Sequence, residues 1–381
     1  MSDVVVIGAG AFGAWTAHHL SNAGARVTVV DAYGPGNSRS SSGDESRILR
    51  CGYGVDEMYS RLARQSREQW QRLDARNSSG LSLWHPCGVL WLAPEGDTYT
   101  ADTRATLQHG HYPIELLDRG TLRARYPYLD ASDIGTAMLE IEGGVIMARR
   151  SIQALTSELT LQGVRVTRGH VSQPSTPGRV SALQLADGAS IAGDTFVFAC
   201  GAWLPAVFPE LLGQRIMPTR QVVMYFGTGA EDDRFTASRM PAWIDFVSGI
   251  YGIPDLEGRG LKVGIDAHGA PFDPDTGERT VDDQSIETAR AWLRRRSPSM
   301  GAAPLVESRV CQYENTASGD FLIDRHPEHE NVWLVGGGSG HGFKHGPAVG
   351  EYVAGLIAGN TTPVAAFALA AKGTVQRRAV Y

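Results

Sequence analysis

The chain has 381 residues, of which 42% are hydrophobic, and a formal net charge of −6; this length can build a sizeable core and more than one lobe. The mild negative charge, without basic runs beside aromatic residues, excludes nucleic acid as the expected partner and favours a small molecule. The four scattered cysteines lack the spacing of a metal site or a disulfide scaffold, and no apolar run of about twenty residues is present, so we expect a cytoplasmic protein without a membrane span or a metal.

The amino terminus has the pattern of a strand, a glycine turn, a helix and a second strand that ends at an acid. In chain order these are residues 4–7, the glycines Gly8, Gly10 and Gly13, residues 14–23, residues 26–30 and Asp31. Glycines with G-x-G-x-x-G spacing let a pyrophosphate approach a helix amino terminus, and the acid can accept a hydrogen bond from a ribose hydroxyl. An ordinary glycine turn would not require the acid, so the pattern predicts a dinucleotide site. It does not distinguish FAD from NAD.

Two later stretches, residues 194–203 and 330–338, have the pattern of a buried strand followed by a turn of small residues. Between them lie alternating strand candidates, loops rich in proline, glycine and aspartate, and a charged helix candidate at residues 285–296. We therefore predict an α/β protein, α+β overall, with a Rossmann-like nucleotide-binding domain and a discontinuous, sheet-rich substrate domain. The first domain is assigned residues 1–85, 145–215 and 320–381, and the second residues 86–144 and 216–319.

Lysine is rare in this chain, since only Lys262, Lys344 and Lys372 occur among the 35 lysines and arginines. Where arginine occupies most basic positions, the remaining lysines are enriched at sites that need a compact ammonium. Lys344 lies in a glycine-rich stretch, residues 336–346, before a predicted helix at residues 347–356 whose positive end suits an anion. The alternative for Lys344 is a solvated surface lysine. Lys372 has no predicted function, so a retained lysine alone does not identify a site.

Four separate segments resemble the family of monomeric sarcosine oxidase, N-methyltryptophan oxidase and pipecolate oxidase, which are D-amino-acid-oxidase-like flavoproteins. The segments are SSSGDESRILRCGYG (40–54), YGIPDLEGRGLKVG (251–264), ESRVCQYENTASGDFLID (307–324) and GSGHGFKHGPAVGE (338–351). They occur in the family's order, and the similarity extends from the first glycine turn to about residue 360. The resemblance implies an FAD-dependent enzyme that oxidises the amine of an amino acid.

The resemblance also implies which residues bind FAD. Cys311 stands where relatives attach the flavin through a thioether to its 8α carbon, whereas Cys51, Cys87 and Cys200 are expected to be inert thiols. The implied cofactor-binding residues are Gly8, Gly10, Gly13, Asp31, Ser40, Ser46, Gly201, Cys311, Gly340, Gly342, Phe343 and Lys344.

Four residues have catalytic roles implied by the resemblance. Lys262 matches a lysine that relatives hold over the flavin N5 edge, commonly through a water, where a fixed charge stabilises the superoxide formed from O2. Arg47 is expected to support the reduced flavin. Tyr251 and His341 are expected to line the pocket and to orient the amine.

The implied substrate-binding residues are Arg50, Lys344, Tyr313 and Asp266. Arg50 and Lys344 match a pair that holds the substrate carboxylate, because two converging buried cations are costly unless an anion joins them. Asp266 departs from the family, since sarcosine-type enzymes have a pocket histidine at this position and the nearest histidine here is His268. The departure predicts another amine, larger or more basic than sarcosine.

We therefore predict a flavoprotein that oxidises a secondary or cyclic amino acid to an imine while O2 is reduced to hydrogen peroxide. An amine that binds unprotonated needs no dedicated carboxylate base, and an oxidase that aromatises its product is a close variant. The alternatives are a flavin dehydrogenase that passes electrons to a carrier, which Lys262 disfavours, and a non-catalytic nucleotide-binding or redox-sensing module, which leaves Arg50 and Lys344 unexplained. A single nucleotide fingerprint disfavours an enzyme that uses NAD alone. We expect a monomer or a small homo-oligomer.

Overall fold

The computed structural model describes residues 2–375 of the chain. Two large sheets organise this part of the chain. One has six strands, mostly parallel, and the other has eight strands, mostly antiparallel; a three-stranded sheet and a two-stranded ladder accompany them. The predicted combination of a Rossmann-like unit with a sheet-rich unit is confirmed, while the residue boundaries assigned to the two domains stay a prediction.

The strands within residues 2–375 are β1 (Asp3–Ile7), β2 (Arg26–Asp31), β3 (Ser46–Leu49), β4 (Trp84–His85), β5 (Val89–Ala93), β6 (Ile114–Leu117), β7 (Thr136–Glu140), β8 (Gly144–Met147), β9 (Arg165–Arg168), β10 (Ala182–Gln184), β11 (Ser190–Ala192), β12 (Thr195–Phe198), β13 (Ile216–Phe226), β14 (Ala242–Asp245), β15 (Ile250–Ile253), β16 (Leu261–Ile265), β17 (Leu305–Thr316), β18 (Leu322–Arg325) and β19 (Val332–Gly336). The α-helices are α1 (Ala11–Asn22), α2 (Glu57–Arg76), α3 (Thr98–His109), α4 (Arg119–Arg125), α5 (Ala148–Leu161), α6 (Leu204–Val207), α7 (Pro209–Leu212), α8 (Asp283–Arg296) and α9 (Gly346–Ala358). Single turns of 3-10 helix at Gly201–Trp203 and Phe343–His345 follow β12 and precede α9. None of these helices has both the length and the apolar composition that crossing a membrane requires.

The six-stranded sheet has the order β18-β19-β12-β1-β2-β9, and all its neighbouring strands are parallel except β18 and β19. Residues 4–6 of β1 are almost completely buried, as a continuous β-branched run predicts for a parallel strand covered on both faces. Ile7 aligns with Phe198 of β12, and Phe198 aligns with Leu334 of β19. The glycine turns that follow these three strands therefore meet at one edge, where sheets of this type bind ligands.

Helices α1 and α9 pack closely against each other beside this edge. A β-carbon at Gly350 of α9 would overlap the backbone of Trp15 in α1, and the Trp15 side chain is fully buried. Helix α1 begins three residues earlier than predicted because Gly10 is its extended N-cap residue. Helix α9 has Pro347 in its first turn and ends at Gly359, which has a left-handed φ of 74°. Both boundaries follow from the residues that suit helix ends.

The eight-stranded sheet holds several predicted site residues on rigid strands. Its order is β17-β13-β16-β15-β14-β5-β7-β6, and β13 and β17 form its longest antiparallel ladder. Gln221 of β13 lies opposite Cys311 of β17, and Tyr225 of β13 lies opposite Lys262 of β16. Since side chains alternate along a strand, Cys311 and Tyr313 point to the same face of the sheet.

The three-stranded sheet, in the order β3-β8-β4, supports the segment that carries two of the predicted arginines. Strand β3 pairs antiparallel with β8, so that Arg47 lies opposite Ile146, and Arg50 follows the last residue of the strand. The sequence did not predict β3, because four residues of mixed polarity have no distinct period. Pairing with β8 gives this short segment a defined path.

Candidate active site

A cavity lies at the carboxyl edge of the six-stranded sheet, between that sheet and β17, and holds about 1190 Å³ including the solvent at its mouth. We call it the cofactor cavity, because most of the residues predicted to bind the cofactor line it. They are Gly8, Gly10, Asp31, Ser40, Gly201, Cys311, Gly340, Gly342 and Phe343. Of the other three, Gly13 packs behind the glycine turn, and Ser46 and Lys344 line a second, adjacent cavity.

The first glycine turn has the geometry that a pyrophosphate site needs. Gly8 has a φ of 106°, and a β-carbon at this residue would overlap the carbonyl oxygen of Ala199 after β12. A β-carbon at Gly13 would overlap the carbonyl oxygen of Gly8. The turn therefore stays close to the amino terminus of α1, where unpaired amide groups and the helix dipole favour an anion.

The Asp31 carboxylate fastens this turn to the end of β2. Its Oδ2 accepts a hydrogen bond from the Ala9 amide at 2.7 Å, and its Oδ1 accepts from the amides of Tyr33 at 2.9 Å and Gly34 at 2.7 Å. A carboxylate has about four acceptor positions in all, and Asp31 lines the cofactor cavity, so a ribose hydroxyl can still donate to it. The turn and the acid together fit a dinucleotide.

Glu314, which no sequence motif singles out, lies in the wall of the cofactor cavity. Its Oε1 accepts a hydrogen bond from the Gly338 amide at 3.1 Å, whereas its Oε2 is shielded from solvent and has no hydrogen-bond partner within residues 2–375. Burial raises the pKa of this carboxyl to about 7. A shielded acceptor in this wall suits a donor such as a hydroxyl of the dinucleotide's sugar chain, which supports the fit of the cavity to FAD.

A second cavity, of about 1050 Å³ with the solvent at its mouth, lies beside the first. The two share a wall made of Arg47, Cys311, Tyr313, Gly340 and Phe343. We call the second one the substrate cavity, because it is lined by the residues predicted to bind or convert the substrate, with the exception of Lys262. They are Arg47, Arg50, Tyr251, Asp266, Tyr313, His341 and Lys344.

Arg50 and Lys344 come from distant parts of the chain and converge in the substrate cavity. Their exposed fractions are 6% and 5%. The Arg50 guanidinium lies 4.7 Å from the centre of the Tyr53 ring, and Lys344 Nζ lies 5.0 Å from the same centre. Lys344 Nζ also donates a hydrogen bond to the His341 carbonyl at 3.3 Å. Two buried cations beside one ring form a site that an anion would stabilise.

Glu140 supports the backbone next to Arg50 and was missed at the level of sequence. Its carboxylate accepts hydrogen bonds from the amides of Cys51 at 2.6 Å and Gly52 at 3.1 Å and from Trp91 Nε1 at 2.9 Å. Burial raises the pKa of Glu140, and these donors and the Arg50 charge oppose that rise. The Arg50 guanidinium donates to the Gly52 carbonyl, so Glu140 positions Arg50 through the turn that follows it.

His341, predicted to be catalytic, belongs to a buried network with Tyr53 and His345. The Tyr53 hydroxyl lies 3.1 Å from His341 Nδ1 and 2.7 Å from His345 Nε2, and His341 Nε2 lies 3.0 Å from the Gly319 carbonyl oxygen. A carbonyl accepts only, so Nε2 of His341 carries the proton and Nδ1 is an acceptor. Burial, Lys344 and Arg50 hold the pKa of His345 well below its ordinary value. The network fixes the His341 ring in the cavity wall with His345 neutral.

Lys262 is 1% exposed and forms an ion pair that was not predicted. Its Nζ donates to Asp44 Oδ2 at 2.5 Å and to the Ser46 carbonyl at 3.0 Å. Asp44 also accepts from Arg47 at 2.6 Å and from the Tyr225 hydroxyl at 3.1 Å. Burial would raise the pKa of Asp44, but the charges of Lys262 and Arg47 hold it well below its ordinary value. Lys262 is absent from the described residues that line either cavity, so it lies behind Ser46 and Arg47.

The wall between the cavities brings together Cys311, Arg47 and Tyr313, and Tyr251 lines the substrate cavity. Arg47 donates to Cys311 Sγ at 3.5 Å and to the Ser41 carbonyl at 2.5 Å. The Tyr313 hydroxyl donates to Asp266 Oδ1 at 3.0 Å. Burial raises the pKa of Tyr313 and of Tyr251, so both hydroxyls stay protonated. The wall thus presents a thiol to the cofactor cavity and phenolic groups to the substrate cavity.

The chain is similar to known proteins over almost its whole length. Residues 3–356 match the model of the family described as FAD dependent oxidoreductase (DAO). Monomeric sarcosine oxidase of Bacillus sp. (strain B-0618) is 31% identical over 93% of this chain and 91% of its own, and N-methyl-L-tryptophan oxidase of Salmonella heidelberg (strain SL476) is 28% identical over 94% and 95%. The crystal structure of L-proline dehydrogenase from P. horikoshii has the same fold, with a TM-score of 0.84 and 22% identity over 97% of this chain and 96% of that one.

Replacement of Glu314 by glutamine should change how the stability of the flavin-free protein depends on pH. The Glu314 pKa is about 7 in the folded protein and 4.5 ordinarily, so the folded state retains a proton that the unfolded chain releases. Stability therefore falls as the pH rises between these two values. The Glu314→Gln variant lacks this titration, so between pH 5 and pH 8 it should lose about 2.5 kcal/mol less stability than its parent.

Urea unfolding at pH 5 and pH 8 measures this difference. Both proteins should carry Cys311→Ser, which removes the predicted attachment point of the flavin, and the exposed Glu231→Gln serves as the control. Parallel pH profiles for Glu314→Gln and its parent would show that the Glu314 carboxyl is not perturbed in the fold.

Proposed function

Because the chain belongs to the family of FAD-dependent oxidoreductases, we propose that it oxidises the C–N bond of a secondary or cyclic amino acid to an imine, with O2 as the acceptor. The carbon atom loses a hydride and the nitrogen atom a proton, and O2 takes up two electrons and two protons as hydrogen peroxide. The observation that carries this proposal is the pair of buried cations, Arg50 and Lys344, in a cavity that shares a wall with the cofactor cavity. The names of the sarcosine and N-methyl-L-tryptophan oxidases support the same class of substrate.

Arg50 and Lys344 bind the substrate carboxylate in this proposal. Arginine offers two parallel donors and lysine a compact charge, and together they fix both the position and the orientation of a carboxylate. Bound FAD supplies a two-electron acceptor in the neighbouring cavity. The clamp therefore holds the amino acid with its reacting carbon towards the shared wall, and proximity of this kind contributes to the rate.

Tyr313 and Tyr251 receive the amine. Their hydroxyls are protonated because burial raises both pKa values. The Tyr251 hydroxyl can donate to the lone pair of an uncharged amine, whereas the Tyr313 hydroxyl donates its proton to Asp266 and can accept from the amine N–H. A protein base is not needed if the amine has lost its proton before the carbon is oxidised. His341 completes this side of the cavity as a fixed donor and acceptor, held by Tyr53 and the Gly319 carbonyl.

Lys262 promotes the reaction with O2 through its charge. The ammonium is dry and fixed by Asp44 and the Ser46 carbonyl, so it can stabilise the negative charge that develops on O2 without reorganisation. Burial lowers the Lys262 pKa, and the Asp44 charge opposes that change. Asp44 thus keeps Lys262 protonated.

Cys311 is the attachment point of the flavin in this proposal. Cys311 lines both cavities, and its Sγ accepts a hydrogen bond from Arg47 at 3.5 Å, which fixes the side chain in the wall beside the cofactor cavity. Among the described residues, no cation lies within hydrogen-bond distance of the Cys51, Cys87 or Cys200 thiol.

The scattered thiols are also the reason to propose a cytoplasmic location, and we propose a monomer or a small homo-oligomer.

The main test is bleaching of the flavin by amino acids without oxygen. Secondary and cyclic amino acids should reduce the flavin, and their carboxamides should do so far more slowly because the amide cannot satisfy Arg50 and Lys344. Lys344→Met should weaken the binding of carboxylate substrates and inhibitors by roughly thirtyfold to a thousandfold, the factor expected for about 2 to 4 kcal/mol from one charge-assisted contact. Flavin content should be unchanged. Unaltered carboxylate affinity in Lys344→Met would remove the reason for an amino-acid substrate.

The oxygen reaction should depend on both members of the Lys262 and Asp44 pair. Lys262→Met should slow reoxidation by O2 roughly a hundredfold, as the loss of about 3 kcal/mol of charge stabilisation predicts, with a smaller effect on anaerobic reduction. Asp44→Asn lowers the Lys262 pKa further, so Lys262 loses its proton at a lower pH. As the pH rises, reoxidation of this variant should therefore slow down at a lower pH than reoxidation of the natural protein. Stopped-flow mixing with O2 at several pH values measures both effects. Slow reoxidation in the natural protein itself would favour a dehydrogenase that uses a carrier.

The flavin should remain with acid-precipitated protein and should be released when Cys311 is replaced by serine. Cys200→Ser is the matched control, because Cys200 also lines the cofactor cavity and should retain the yellow pellet. Absorbance of pellet and supernatant after precipitation measures the bound fraction. Colour that leaves the natural protein completely would rule out the tether and would leave FAD binding intact.

A further inference from the structure

The eight-stranded sheet forms one wall of the substrate cavity. This wall contains hydrogen-bond acceptors that the oxidation of a simple N-methyl amino acid does not use. Tyr313 and Asn315 share a face of β17, since side chains alternate along a strand, and Asp266 follows the end of β16. All three line the substrate cavity. We call Asp266 and Asn315 the acceptor pair.

The Asn315 side chain is 1% exposed and presents an unused carbonyl. Its Nδ2 donates to Thr219 Oγ1 at 2.8 Å and to the Met217 carbonyl at 3.4 Å. Thr219 Oγ1 in turn donates to Gln221 Oε1 at 3.1 Å, so both partners of Nδ2 act as acceptors and the orientation of the amide is fixed. Asn315 Oδ1 has no hydrogen-bond partner within residues 2–375. A buried acceptor of this kind lowers stability unless a ligand donor meets it.

Asp266 adds a negative charge to the same wall. Its Oδ1 accepts from the Tyr313 hydroxyl at 3.0 Å, and a carboxylate can accept several further bonds. Burial alone would lower the pKa of Arg50, but nearby groups raise it overall. In decreasing order of effect, these groups are the phenols of Tyr99 and Tyr53 and the carboxylates of Glu140 and Asp266. The acid therefore lies within electrostatic reach of the clamp and lines the same cavity.

We propose that the substrate is a secondary amino acid whose side chain or N-substituent ends in a hydrogen-bond donor, an ammonium or a hydroxyl, which the acceptor pair of Asp266 and Asn315 binds. This inference rests on the proposed function of the cavity as an amino-acid site. Arg50 and Lys344 hold the carboxylate, the tyrosines receive the reacting amine, and the acceptor pair holds the far end. Sarcosine has no group that reaches this wall, so it should be a poor substrate.

Two matched series of amino acids test the proposal by anaerobic flavin reduction. The first is N-propylglycine, N-(2-hydroxyethyl)glycine and N-(2-aminoethyl)glycine. The second is N-methyl-2-aminoheptanoic acid, N-methyl-6-hydroxynorleucine and Nα-methyllysine, each as both enantiomers. Within each series the length is nearly constant and only the terminal group changes. In at least one series the hydroxyl or ammonium compound should be at least tenfold more efficient than the apolar compound.

The Asp266→Asn variant distinguishes the two donors, because asparagine keeps an acceptor and removes the charge. Relative to the apolar compound of the same series, it should reduce the efficiency of an ammonium substrate tenfold or more and that of a hydroxyl substrate less than threefold. Asp102→Asn, which removes one charge from the exposed face of α3, is the control and should change none of these rates. A preference for the hydroxyl compound and a preference for the ammonium compound each support the proposal. The Asp266→Asn variant identifies which of these two donors the acceptor pair binds.

Equal or better reduction by the apolar compounds in both series would overturn the inference while leaving the amino-acid oxidase intact. A flavin that dithionite reduces but that none of these compounds, nor sarcosine, proline or pipecolate, bleaches would instead overturn the proposed function, and the inference with it. An ammonium preference that persists unchanged in Asp266→Asn would also contradict the assignment of the acceptor pair.

Discussion

One buried carboxylate, that of Asp44, holds the centre of this protein together. It lies between Lys262 of β16 and Arg47 of β3, at 2.5 and 2.6 Å, and also accepts from the Tyr225 hydroxyl of β13. Two cations packed side by side in a dry interior would repel each other, and their removal from water would cost several kcal/mol. Asp44 offsets that cost and joins the three-stranded sheet to the eight-stranded sheet. The wall between the two cavities depends on this junction, because Arg47 is part of it.

The same arrangement recurs behind other charged groups of the substrate cavity. Glu140 supports the turn beside Arg50 from the side away from the cavity, and the Tyr53, His341 and His345 network packs against Lys344. Each cation is held from behind by the protein. The geometry is thus preorganised for the substrate carboxylate of the proposed function.

The elements around the first glycine turn could be predicted because their signals are local. The β-branched strand, the glycines and Asp31 lie within about thirty consecutive residues, and the structure differs only in beginning α1 three residues earlier. Asp44, Glu140 and His345 could not be predicted in this way, since they pair with Lys262, Cys51 and Tyr53 from distant parts of the chain. The environment of Glu314 likewise depends on Gly338, which follows another strand. Lys262 illustrates the limit. Its role is implied by the family resemblance and stays a prediction, whereas its pairing with Asp44 depends on the registers of β16 and β3, which only the folded sheets define.

The wall shared by the two cavities gives the molecule an order of assembly. Both cavities are lined by Arg47, Cys311, Tyr313, Gly340 and Phe343. One surface of the substrate cavity is therefore complete only when the cofactor cavity is filled. A chain that lacks its cofactor therefore has the cations of the clamp but an incomplete chamber around them. For the proposed function, FAD binding therefore precedes substrate recognition, and the affinity for substrate depends on whether the cofactor cavity is filled.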